Sequence, residues 1–406
     1  MQDSILQKTT KITIWEYFIV FLFIVMCGFT SGDIIPGKSW ILSVFSLIYI
    51  IQRKNKQSLK TLIIILLAYL LVGFLQLEKY KYYSERTFIN IPLLLLSGFY
   101  VCDRLGEKFR YAYMNIMTVI AFISIIFFSI MVLTGYVPTI NSLNSNPLYK
   151  GIFIFNERLS EIERERNCGP FWEPGAYAGY LLMNAFLFFN KLDFLWKTRK
   201  RNCIILLIAF FTTFSSQGYL VFALLLCCYF FRNRISIKLL FSSLLFMVLF
   251  ITAYISLDFL NEKVNAQLEL AKDWDSNESL LSANRFSTSL LDLYYIIKSP
   301  LVGNTDDPQI RYSDHSIILW VVDNNGGYGI GSGTTNFIAT YGIPLFILWC
   351  ILVYKSLKRN FAKKEVFLIL SLYIILGFGE LYFTYIYYIS LPFILYNRKR
   401  LLTITK

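Results

Sequence analysis

The chain has 406 residues, of which 56% are AVILMFWYC and only 16% are charged, with a mean hydropathy of +0.53 and a formal net charge of +13. Soluble domains carry about 45–50% apolar and about 25% charged residues, so one aqueous core cannot bury this much apolar side chain. The composition excludes a soluble enzyme, a disulfide scaffold and a disordered chain, and it fits a membrane protein.

Apolar blocks bounded by charge predict spans near residues 12–30, 39–51, 61–77, 87–102 and 113–134. Several fall short of the roughly 20 residues a helix needs to cross untilted. A segment of 40 residues, 135–174, comes next, then spans at 175–190, 203–215, 217–231 and 239–256. The block 203–231 is read as a hairpin broken at Thr213, Ser215, Ser216 and Gly218, because basic runs flank both of its ends and basic flanks stay cytoplasmic. A second long segment of 76 residues, 257–332, precedes spans at 333–354, 366–378 and 381–396. The expectation is an all-α polytopic membrane protein of 12 transmembrane helices, organised as 1–134, 135–174, 175–256, 257–332 and 333–406. Both termini would be cytoplasmic and both long segments would lie outside.

The charge follows this layout. The expected cytoplasmic segments hold 26 basic and 6 acidic residues, leaving 13 basic and 20 acidic elsewhere. The net positive charge is therefore an orientation signal and gives no argument for nucleic acid. Six of the seven cysteines fall in or at the ends of spans, and only Cys168 lies in an outer segment. Without a CxxC or a Cys/His spacing, they read as small apolar fillers, and no metal site is expected.

Loops beyond about 12–15 residues are usually functional or disordered, so chemistry is sought in the two long segments. The stretch 157–166 reads as a short surface helix of Glu/Arg pairs. Arg166 ends it and, followed by Gly-Pro and aromatics that return to the membrane, is expected at the outer interface. Glu173 precedes Pro174, which favours the first position of a helix. Its carboxylate is either a helix cap or a base held at the membrane surface. In the second segment, Arg285 opens an amphipathic stretch, Arg311 and the only histidine, His315, follow, and a glycine-rich run leads into the tenth span. That run lacks the lysine of a P-loop. Asp273, Asp275, Asn277 and Ser279 imitate the start of a calcium loop, but Glu278 replaces its required glycine. A lone histidine in a polar loop is more often a surface residue than a catalyst.

The order Arg166...Gly169-x-Phe171-x-Glu173-Pro174, then Ser216-x-Gly218, then Arg285-Phe286 with Pro300 and Gly303, then Gly333-Thr334-Thr335-Asn336 with Tyr341-Gly342-Ile343 resembles the O-antigen polymerases of the Wzy type. More distantly it resembles the related O-antigen ligases. The likeness covers about residues 150–350. Gln217 stands where a basic residue is common in the family, and Thr334-Thr335-Asn336 occupies the region where ligases place a functional His, which favours a polymerase. The resemblance implies a GT-C-like glycosyltransferase at the periplasmic face of a bacterial inner membrane. It would join undecaprenyl-pyrophosphate-linked repeat units without a cofactor, alongside a partner protein that regulates chain length. Guanidinium groups suit a pyrophosphate leaving group, so Arg166 and Arg285 are expected on it, with Glu173 as base. Arg164, Arg311, His315, Thr335 and Asn336 are the expected substrate-binding residues. The competing readings are a ligase and a flippase for lipid-linked oligosaccharide, the latter disfavoured by the scarcity of charges inside the spans. A polyprenyl-phosphate-sugar transferase using Asp33 is a third, but that short loop offers Asp33 no evident partner.

Overall fold

The computed structural model describes residues 11–31, 38–52, 57–136, 149–158, 166–232, 285–316, 318–320 and 333–394. Helices dominate them: α1 (Ile14–Val25), α2 (Lys38–Gln52), α3 (Gln57–Tyr80), α4 (Ile91–Leu105) and α5 (Lys108–Thr134) come first. A two-stranded hairpin, β1 (Tyr149–Ile152) and β2 (Phe155–Arg158), precedes α6 (Pro174–Leu187), α7 (Leu192–Thr198), α8 (Lys200–Phe211) and α9 (Ser216–Arg232). The remainder is α10 (Arg285–Lys298), α11 (Pro308–Arg311), α12 (Gly333–Tyr341), α13 (Ile343–Leu357), α14 (Lys363–Gly379) and α15 (Ile386–Ser390). Three helical stretches, Ser58–Tyr80, Arg86–Leu105 and Lys108–Thr134, are long and apolar enough to cross a membrane. Four shorter apolar helices accompany them, among them α1 and α13.

Local chemistry sets the helix ends. Thr13 and Glu16 form a reciprocal capping box at the start of α1, with hydrogen bonds of 3.2 and 2.8 Å. The hairpin break expected at Thr213, Ser215, Ser216 and Gly218 is present: α8 ends at Phe211 and α9 starts at Ser216, Thr212 and Thr213 hydroxyls turn back onto Ala209 and Phe210 carbonyls, and Ser215 Oγ accepts from Gly218 N–H at 3.1 Å. Outward faces are apolar on several helices, as at Leu67, Leu71 and Phe74 of α3 and Val119, Phe122 and Ile126 of α5. Such faces need an apolar surrounding, and the lipid hydrocarbon supplies one.

Contacts sort the loops to two ends. At one end Tyr49 donates to Asp103 (2.8 Å), Lys108 pairs with Glu16 (2.9 Å) and Asn190 donates to the Asn360 carbonyl (2.8 Å). At the other, Thr30 N–H bonds the Pro170 carbonyl, Ser31 bonds the Phe153 carbonyl and Tyr80 donates to the Gly303 carbonyl.

Three expectations are corrected. The block 333–354 is not one span but two helices broken at Gly342, where φ is +85° and Pro344 restarts the helix. The block 381–396 is not a regular span either: a 3-10 turn, the five-residue α15 and further turns lie wholly inside the bundle, with Tyr382, Tyr387, Tyr388 and Phe393 fully buried. Irregular backbone is tolerated at membrane depth where protein covers it. Finally, Glu157 and Arg158 are not helical. Pairing of Lys150 with Glu157 and Tyr149 with Arg158 draws them into β2, and the inward face of that strand seats Phe155 against Phe127 and Met131. The expected span 239–256 and Arg164 lie outside the described residues.

Candidate functional site

Residues 166–173 return the chain from the first long segment as a wedge between helices. Asn167 holds its shape: its Oδ1 accepts from Gly169 N–H (2.9 Å), its Nδ2 donates to Thr212 Oγ1 (3.0 Å) and Ser124 Oγ (3.3 Å), and its N–H bonds the Thr212 carbonyl. Phe171 stacks on Tyr180 at 4.5 Å between ring centres. Arg166, expected at the outer interface, is instead buried against the tip of the α8–α9 hairpin, its Nε donating to the Thr213 carbonyl at 3.2 Å. Glu173 is the N-cap residue of α6, directly before Pro174, and its side chain makes no capping hydrogen bond.

Three helix starts then meet at one place. Gly175 in the first turn of α6 lies against the Glu380 carboxylate, and Gly333 at the start of α12 lies against the Glu380 and Gly377 carbonyls, so close that a Cβ would collide. Gln217, in the first turn of α9, presses on Gly379 and donates to the Ile375 and Leu376 carbonyls at 3.2 and 3.0 Å. Glu380, buried at the end of α14, accepts from Trp172 Nε1 at 3.3 Å. Helix N-termini carry partial positive charge; the start of α6 faces this carboxylate, while the starts of α12 and α9 lie against backbone carbonyls at the end of α14.

The second segment docks on the same α12. Pro300 to Asn304 fill the notch at its break: Ile343 N–H bonds the Pro300 carbonyl (2.8 Å) and Asn304 N–H the Ala339 carbonyl (2.9 Å). Gly303 (φ +78°) and Gly342 sit where a side chain would strike the Thr340 and Leu301 carbonyls respectively. Above the notch, Arg311 is buried and paired with Asp292 of α10. Its Nη1 also donates to Asn336 Oδ1 (2.5 Å) and Thr340 Oγ1 (3.1 Å), and Thr335 Oγ1 donates to Asp292 Oδ2 (2.6 Å). Burial pushes the Asp292 carboxyl up to about 6, against the opposing pull of Arg311 and Thr335. The Arg311 guanidinium lies 5.1 Å from the Tyr312 ring centre and 5.9 Å from that of Tyr295, whose hydroxyl meets His315 Nδ1 at 2.7 Å.

No known protein family, curated protein or solved structure matches this chain.

The structure thus brings Arg311, Thr335 and Asn336 into one network, with His315 at its edge, and places Arg166 and Glu173 on the wedge beside the hairpin tip. The two groups are contiguous through the first turn of α12, which runs from Gly333 at Glu380 to Asn336 at Arg311. Arg285 opens α10, the helix that carries Asp292. Sequence reasoning missed Asp292, although an acid among Leu291, Tyr295 and Ile296 on the apolar face of an amphipathic helix is a readable signal. Among the described residues, no group of three His, Cys, Asp or Glu side chains could hold a metal ion.

Proposed function

We propose that the chain is a surface-polysaccharide polymerase of the O-antigen type: a multi-span inner-membrane glycosyltransferase joining undecaprenyl-pyrophosphate-linked repeat units at the periplasmic face, by an inverting-type reaction. The observation that supports it best is the gathering, at one end of the bundle, of three helix starts, the Arg166 wedge and the docked second segment that carries Arg285. An acceptor hydroxyl attacks the anomeric carbon of the lipid-linked donor, and the bond from that carbon to the pyrophosphate oxygen breaks. The acceptor proton passes to Glu173, and the charge that develops on the pyrophosphate is met by Arg166 and Arg285. Preorganised cations in a water-poor site stabilise such a leaving group far better than they would in bulk water. Arg311, its charge engaged by Asp292, holds the second segment to α12 in this reading.

The test is chain length in cells. Arg166→Ala and Arg285→Ala leave the protein in the membrane and a single repeat unit on its carrier, whereas normal long chains in both variants defeat the assignment. Polymerisation by the purified protein in detergent, where no second compartment exists, separates a polymerase from a flippase. Unchanged activity of Glu173→Gln across pH reduces Glu173 to an N-cap residue.

A further inference from the structure

The end of the bundle opposite this site carries a feature that polymerisation does not use. Across the junction of α7 and α8 the chain runs Trp196-Lys197-Thr198-Arg199-Lys200-Arg201, four basic residues around the start of a helix. Arg199 is the N-cap of α8, makes no capping bond, and no acid lies in the first turn. This arrangement opposes the helix dipole, which favours anions at an N-terminus. The acids packed nearby are engaged elsewhere: Glu16 with Lys108 and Glu107 with Arg110. Asp193 sits at the far end of α7.

Arg199 is held in place rather than left to wander. Its Nη1 donates to Asn115 Oδ1 (2.8 Å), Asn115 Nδ2 donates to the Tyr17 hydroxyl (2.7 Å), and the guanidinium lies 5.3 Å from the Tyr111 ring centre. Asn115 heads an outward face of α5 that continues through Val119, Phe122 and Ile126, while α8 below Arg201 exposes Ile204, Ile208 and Phe211. The two helices pack together and run in the same direction, from Asn115 beside Arg199 to Ser124 and Thr212, both bonded by Asn167. Two apolar stripes therefore descend side by side from one cationic head. Trp196, 45% exposed with Lys200 6.0 Å from its ring centre, marks the polar boundary of that head.

We propose that this surface binds an anionic phospholipid, its phosphate on Lys200, Arg201 and Arg199 and its acyl chains along the α5 and α8 stripes. The charge complementarity and the continuity of the cationic head with two apolar stripes match a two-chain lipid carrying one phosphate. The inference does not depend on the proposed reaction, and lipid binding reads it out directly.

The full chain, purified in detergent, is titrated with phosphatidylglycerol or phosphatidylcholine, and bound lipid is counted by native mass spectrometry. Phosphatidylglycerol is expected to bind in preference. Each exposed basic residue contributes about fivefold to its affinity, so Lys200→Ser with Arg201→Ser weakens it about thirtyfold and leaves phosphatidylcholine unchanged. Arg201→Glu alone lowers it further than Arg201→Ser, and Val119→Asn with Phe122→Asn weakens it with the basic run intact. Retained elution volume and thermal midpoint identify the variants that remain folded. Equal phosphatidylglycerol binding by wild type and both double variants overturns the proposal, as does equal affinity for the two lipids. Displacement by glycerol phosphate at the concentration at which phosphatidylglycerol itself displaces bound lipid also overturns it, because the site then takes free phosphate.

Discussion

The two long segments each bury an arginine against the helix bundle, and they do so with different acceptors. Arg166 rests its Nε on a backbone carbonyl, Thr213, at the tip of a hairpin. Arg311 faces a buried carboxylate, with Thr335, Asn336 and Thr340 completing the network. The Thr213 contact anchors the Arg166 guanidinium to a backbone carbonyl at the hairpin tip, whereas the Asp292 carboxylate neutralises Arg311 and suits it to a latch.

The largest effect that tests this contrast is Arg311→Ala. Removing one partner of a buried pair strands the other, and the expected loss is about 3–5 kcal/mol, read as a lowered thermal midpoint in detergent. The loss should shrink on acidification, since Asp292 then takes up a proton. A midpoint equal to wild type would remove the latch. Next comes the pH dependence of the intact pair. Burial raises the folded Asp292 carboxyl from 3.8 to about 6, so the folded state binds the proton more tightly than the unfolded chain. Its contribution to stability is full below pH about 4 and is lost as pH rises through 6. Relative to Asp292→Asn, wild type should fall by about 3 kcal/mol between those limits. Parallel pH curves for the two proteins would contradict it.

Gly342→Ala and Gly303→Ala place a Cβ at positive φ and against a carbonyl, and each is expected to cost about 2 kcal/mol or more. The measurement is again the thermal midpoint, with Gly135→Ala as the control, since Gly135 also has positive φ but open space around it. Arg166→Ala should be milder for the fold, about 1–2 kcal/mol for a charged hydrogen bond, while abolishing chain extension. A large stability loss there would erase the difference between the two arginines. Lys298→Ala should leave stability unchanged, because its pair with Asp314 is exposed.

What could be read from the sequence follows from which signals are local. The hairpin break at Thr213 to Gly218 was legible because side-chain hydroxyls and a glycine act on their own backbone, and Glu173-Pro174 marked the start of α6 for the same reason. The break at Gly342 was not, since an apolar run hides it and its cause, the Pro300 to Asn304 segment, lies some forty residues upstream. The buried α15 segment was misread as a span because hydropathy cannot distinguish lipid from a tyrosine-lined protein interior. Arg166 was located on the right loop, but its burial depends on Asn167 and the hairpin tip, contacts that no periodicity encodes.

The shape of α15 also bears on how the chain is made. Five helical residues are too few to partition into a bilayer alone, and their tyrosines find cover from α1, α4, α5, α6, α13 and α14: Tyr113, Phe23 and Tyr180 lie by Tyr387, Ser390 packs on Gly98, Trp349 stacks on Tyr388, and Tyr388 donates to the Tyr373 carbonyl. The segment therefore has no stable place until those helices have been inserted and assembled. Residues 382–394 thus act as a plug, seated among helices that precede them in the chain.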